Sequence, residues 1–140
     1  MFRTTLIKIS KLSKSHDIYC FLLSVTENIP HINLDIIPQS QVDDINKYHQ
    51  PFDRNKRLIA RSFLFEYCQK NFNLQQFDFI YQEHLRPRYK YSEIKFSFSY
   101  SGEYILVGIS SQREIGVDIE KINSDLEIKK WHQKLCIRMN

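Results

Sequence analysis

Two hydrophobic periods divide the chain. From residue 53 to 71 apolar side chains recur at helical spacing: Ile59, Phe63 and Tyr67 share one face, and Ala60, Leu64 and Cys68 lie beside them. The pattern predicts a helix from about Asp53 to Asn71, with Asp53 as its N-cap. Beyond it the period shortens to two. Phe77, Phe79 and Tyr81 alternate with polar or acidic neighbours, and Ile94, Phe96, Phe98 and Tyr100 alternate with Lys95, Ser97, Ser99 and Ser101, so both stretches predict strands. Tyr104–Ser110 is a continuous apolar run, as expected of a central strand covered on both faces. Ser101-Gly102 makes the tight connection between these last two. Ile115, Val117 and Ile119 alternate with Gly116, Asp118 and Glu120 in a further strand. Upstream, Ile18–Thr26 predicts a buried strand, and Gln39–Tyr48 a short polar helix ended by Pro51. Ser124-x-x-Glu127 resembles a capping box opening a helix that carries Leu126, Ile128, Trp131 and Leu135. A long helix packed on a mostly antiparallel sheet is an α+β fold.

Charge changes the picture at the ends. The net charge is +4, yet residues 1–16 and 129–140 hold eight basic residues and no acid. The stretch between them has 12 basic and 16 acidic residues, so the basicity belongs to the termini and argues against a nucleic-acid surface. Residues 1–16 read as a basic extension, similar to a transit peptide or of no structural importance. Cys20, Cys68 and Cys136 have no CxxC spacing and are odd in number, which points to a reducing, cytoplasmic setting. The run Ile18–Val25 is too short to span a bilayer, so no membrane is expected. The three glycines fall at 102, 108 and 116, which leaves no glycine-rich phosphate loop elsewhere.

Asp118 and Glu120 carry the strongest chemical signal. At about 3.3 Å rise per residue, positions i and i+2 put both carboxylates on one strand face, roughly 6–7 Å apart at the backbone. Such a pair suits one hard cation, magnesium above all; an exposed acidic face is the plainer alternative. Gly116 on the same face leaves room for a bulky group. Arg57 and Arg61 project from one side of the long helix, with Arg54 and Lys56 nearby, and guanidinium groups bind phosphates. The alternative there is a solvated helix end. Arg86-Pro87-Arg88 is a rigid basic turn. Ser97, Ser99 and Ser101 offer hydroxyls without a base to make a nucleophile. Phe96, Phe98 and Tyr100 form either a stacking platform for single-stranded nucleic acid or a buried core stripe, and the stripe explains them better.

Taken in order, the basic helix at Asp53–Leu64, Arg86-Pro87, the segment Phe96-Ser-Phe-Ser-Tyr-Ser-Gly102 and the segment Ile115-Gly-Val-Asp-Ile-Glu-Lys121 resemble the surfactin-type 4′-phosphopantetheinyl transferases over about 39–122. Gly116-Val-Asp-Ile-Glu120 is the most telling part. The resemblance implies one half of that family's pseudo-twofold fold over 17–122. It also implies transfer of the 4′-phosphopantetheine group from coenzyme A to a serine of an apo acyl or peptidyl carrier protein, releasing 3′,5′-ADP. By resemblance Asp118 and Glu120 bind Mg²⁺ at the coenzyme A pyrophosphate and Arg57 lies near its phosphates. Arg86 and Pro87 stand for the family's G-K-P turn beside the adenine, and Ser99 and Tyr100 face the same nucleotide.

Two departures bear on activity. Tyr100 stands where the family usually has histidine, and tyrosine cannot become cationic near neutral pH. The family's W-x-x-K-E motif supplies a third metal-binding glutamate, whereas Trp131-His-Gln-Lys134-Leu135 has leucine at that place and lies too near Glu120. The expectation is a first half followed by a truncated second half, a short basic helix over 123–140. Transfer would be weak or lost, with a non-catalytic coenzyme A or carrier-protein binding module as the alternative. The half-domain face would then favour self-association.

Overall fold

The computed structural model describes residues 1–13, 16–81, 86–111, 113–121 and 133–139. Strands β1 (Thr4–Ser13) and β2 (His16–Ser24) lead to helix α1 (Val25–Asn28), two 3₁₀ turns and helix α2 (Gln39–Ile45). The long helix α3 (Pro51–Phe72) follows, then β3 (Phe79–Ile80), β4 (Arg88–Tyr89), β5 (Lys95–Ser101), β6 (Tyr104–Ser110), β7 (Ile115–Lys121) and β8 (Gln133–Met139). The main sheet runs β1-β2-β6-β5, every pair antiparallel, while β3-β4 and β7-β8 form two separate ribbons. The fold is α+β, with one long helix on an antiparallel sheet.

Helix α3 starts two residues earlier than its pattern predicts. Gln50 is the N-cap and makes no side-chain bond; Pro51 sits at the first helical position, where its missing N–H costs nothing. Asp53 is therefore not the cap but an acid in the first turn, favoured there by the helix dipole. The helix stops at Asn73, left-handed at φ 54°, a conformation asparagine tolerates, with its N–H bonded to the Cys68 carbonyl. Ile59, Ala60, Phe63, Leu64 and Cys68 are buried along the predicted face.

Three layers result, because the central strands bury both faces. On one side Phe21, Leu23, Phe96, Ile105, Val107 and Ile109 pack with α3. On the other side Ile18, Cys20 and Leu106 pack with Ile115, Val117 and Ile119 of β7. Gly108 of β6 permits that second contact: a Cβ there would lie 2.5 Å from Val117 Cγ1 and 3.0 Å from Ile115 Cδ1. The β5–β6 turn is a two-residue loop with Gly102 at φ +53°, as a hairpin with glycine at the first turn position requires.

Three expectations need correction. Residues 4–13 are no loose extension: β1 pairs with β2 from Thr4↔Leu23 to Ser13↔His16. Residues 133–139, expected in a terminal helix, form β8 paired along β7, from Ile115↔Met139 to Lys121↔Gln133; the capping box at 124–127 and Trp131 lie outside the described residues. The strand expected over Phe77–Tyr81 is the two-residue β3, since Phe77 turns into the core against Phe65 (ring centroids 4.9 Å apart) instead of joining a ladder. The Phe96, Phe98 and Tyr100 rings pack in the core or against it, so they form a core stripe and not an open platform.

Candidate functional site

Strand β5 lies at the sheet edge, and its alternating side chains divide the predicted site residues between two faces. Phe96, Phe98 and Tyr100 turn toward α3, and Ser97 and Ser99 turn toward β7.

On the β7 side, β7 is held to β5 by bonds from its backbone to the serine side chains of β5. The Val117 N–H donates to Ser97 Oγ (3.2 Å) and the Ile119 N–H donates to Ser99 Oγ (3.0 Å). Serine hydroxyls thus satisfy strand donors that would otherwise be buried without partners. This docking leaves Asp118 and Glu120 exposed on one face, while Val117 and Ile119 are buried on the other. The Ser99 hydroxyl donates to Asp118 Oδ1 at 3.3 Å. Arg86 completes the group. Its Nη1 donates to Ser97 Oγ and to the Ile115 carbonyl, each at 3.0 Å. The space beside Gly116 is not open, as the sequence implied: a Cβ there would lie 3.0 Å from Arg86 Nη2. The missing side chain admits the chain's own guanidinium.

Arg86, Ser97, Ser99, Gly116 and Asp118 line one cleft of about 380 Å³. Arg86 also borders a second cavity of about 200 Å³ with Pro87, Arg88, Lys95 and Glu114. No motif or spacing in the sequence marks Glu114. It pairs with Arg88 Nη1 at 2.6 Å and lies 3.9 Å from Lys95 Nζ, offsetting part of that basic turn.

On the α3 side, the Arg57 guanidinium lies between the rings of Tyr48 (3.9 Å) and Tyr100 (4.9 Å), and its Nη1 donates to the Asp53 carbonyl (3.0 Å). Lys56 Nζ stands 5.8 Å from the Tyr100 ring. Arg61 approaches the Phe79 and Phe98 rings and donates from Nε to Gln41 Oε1 at 2.9 Å. Gln41 is almost fully buried, and its amide donates to the Phe77 carbonyl (2.9 Å). Nothing in the sequence marks Gln41, because its partners lie 20 and 36 residues away. Burial pushes the Tyr100 hydroxyl up to about 12, against the opposite pull of Arg61 and Arg57, so this ring stays neutral through the usable pH range.

The structure therefore brings Arg86, Ser99 and Asp118 to one cleft, with Glu120 next on the same strand face. It puts Arg57 and Tyr100 together on the opposite face of β5. Tyr100 is engaged by the helix cations and packs against the core. Two exposed carboxylates suit magnesium, which takes one or two protein carboxylates and completes its octahedron with water and phosphate oxygens. Among the described residues no group of three or more His, Cys, Asp or Glu is gathered to hold a metal alone. Among the same residues no helix is long and apolar enough to cross a membrane.

No protein-family model matches the chain, and no curated protein matches it significantly.

Proposed function

We propose that the chain binds coenzyme A with magnesium and takes part in transferring its 4′-phosphopantetheine arm to a serine of an apo acyl or peptidyl carrier protein. The observation that carries this is the shared cleft of Arg86, Ser99 and Asp118, with Glu120 exposed on the same face as Asp118. Asp118 and Glu120 would hold the magnesium, whose charge would offset that of the pyrophosphate. Arg86, fixed by two hydrogen bonds, presents a guanidinium beside those carboxylates and orients a phosphate of the nucleotide. Arg57, stacked between two rings, holds positive charge on the other side of the β5 edge. The buried thiols of Cys20 and Cys68 go with a cytoplasmic setting.

A second outcome has its own support. Two carboxylates with no third in reach among the described residues favour binding over rapid transfer, so a module that holds coenzyme A or a carrier protein without modifying it is the alternative.

One experiment separates the two. The chain is incubated with magnesium, coenzyme A and an apo carrier protein, and the carrier serine is examined by intact-mass spectrometry beside calorimetry of coenzyme A. Modification of the serine supports transfer; saturable binding without modification supports the module. No affinity for either ligand refutes both.

A further inference from the structure

The Ser97 hydroxyl touches both Arg86 and strand β7 of the cleft. Its oxygen has two acceptor lone pairs, and both are used: Arg86 Nη1 donates at 3.0 Å and the Val117 N–H at 3.2 Å. Ser97 is 4% and Val117 8% exposed, so the strand N–H has no ready access to water in place of this hydroxyl, whereas Arg86 is exposed and meets the cleft. The first bond sets the guanidinium against the flat face that Gly116 leaves. The second fixes the strand whose next residue is Asp118. Together with the Ile115 carbonyl, which also accepts from Arg86 Nη1 (3.0 Å), this oxygen sets the distance between the cation and the carboxylate of the cleft. Ser99 repeats the strand bond one pleat along, to the Ile119 N–H, and its contact to the cleft is with Asp118 instead of Arg86. The two serines therefore do different work.

We infer that Ser97 is a positioning residue for the cleft, holding Arg86 and the Asp118 strand in fixed register so that a phosphorylated nucleotide meets both. This rests on the coenzyme A assignment for the ligand, but the restraint on Arg86 exists without any ligand and is measured separately. An unrestrained arginine side chain samples many rotamers, and ordering it on binding costs about 0.5–1.5 kcal/mol. A guanidinium held beforehand avoids that loss. A charge-assisted bond such as Arg86 to Ser97 is also roughly twice as strong as a neutral one.

The test uses the full chain. In ligand-free protein, ¹⁵N relaxation of the Arg86 Nε–Hε signal, assigned with Arg86→Lys, reports restricted motion in the parent. Ser97→Ala, which leaves Arg86 Nη1 only the Ile115 carbonyl, makes that signal measurably more mobile, Ser97→Thr keeps it restricted, and Ser99→Ala leaves it unchanged. Should Ser97→Ala fail to fold, Ser97→Cys, of similar size and a poorer acceptor, is read in the same way. An Arg86 signal as mobile in the parent as in Ser97→Ala overturns the inference. The second arm is calorimetry of coenzyme A with magnesium. Ser97→Ala weakens binding about tenfold, one lost bond of about 1.4 kcal/mol, and Ser97→Thr restores it. Ser97→Ala adds nothing in an Arg86→Ala background, as two parts of one interaction require. Equal losses in both backgrounds reduce Ser97 to a strand peg and overturn the inference. A parent that binds no coenzyme A, with Arg86 still restrained by Ser97, sinks the proposed function and leaves the positioning role standing.

Discussion

Gly108→Ala is predicted to loosen β7 from the sheet, and with it the strand that carries Asp118 and Glu120. A methyl at 108 would lie 2.5 Å from Val117 Cγ1, a separation side chains do not adopt, and 3.0 Å from the more adaptable Ile115 Cδ1. Both partners are buried, Val117 at 8% and Ile115 at 3% exposure, so neither can turn out to solvent without losing its packing. Overpacking of this kind costs about 1–3 kcal/mol. The substitution also reduces the chain entropy lost on folding, which offsets about 0.5–1 kcal/mol. The 2.5 Å approach puts the cost in the upper part of that range, so the net is a destabilisation of about 1–2.5 kcal/mol, or ~3–10 °C in melting temperature for a chain of this length. Urea denaturation reads it as a lower midpoint with unchanged slope. The specific signature is rescue. Val117→Ala alone removes two methyl groups, at roughly 0.8 kcal/mol each. Gly108→Ala combined with Val117→Ala should be no less stable than Val117→Ala, a coupling of about 1 kcal/mol or more. Full stability of Gly108→Ala, or simple additivity in the double variant, would refute the packing of β7 on β6.

Other consequences follow from the same geometry. Asp118→Asn, at an exposed position, should change stability by no more than about 0.5 kcal/mol while removing most of the magnesium dependence of coenzyme A binding; calorimetry with and without the metal decides it. Tyr100→Leu removes the ring beneath Arg57 and should cost about 1–2 kcal/mol, most of it retained by Tyr100→Phe, as thermal melts of the three proteins would show. Glu103 supports α1 through its carboxylate, which accepts from the Ser24 hydroxyl and the Thr26 N–H. Burial tends to raise its pKa, but those bonds outweigh it and hold the carboxyl below its ordinary 4.5. A depressed folded-state value means stability that is present above about pH 4.5 and is lost as pH falls through the lower folded value. Glu103→Gln should flatten the acid limb of the stability curve there, and a curve identical to the parent's removes Glu103 from the account. Burial raises the Cys68 thiol to about 11, so a thiol reagent at pH 8 should label Cys68 only as fast as the protein opens, with the site mapped by mass spectrometry.

In β1 the basic residues Lys8 and Lys11 fit a solvated tail, yet lysines interspersed with apolar residues are equally how an edge strand is written, and β1 is the edge of the sheet. Asp53 has the chemistry of an N-cap, and the proline two residues before it settled the helix start instead.

Local pattern determined α3, β5, β6 and β7, because an apolar face must match the period of its own backbone whatever it later meets. The same pattern already put Asp118 and Glu120 on one face, since alternation is a property of the strand alone. Which neighbour meets each face lay beyond it. The capture of Arg86 by Ser97, the filling of the Gly116 gap and the stacking of Arg57 on Tyr100 join residues 11 to 43 positions apart in the chain. Hydrogen bonds and ring contacts carry no signature in sequence spacing at that range, so packing alone decided how the cleft is assembled.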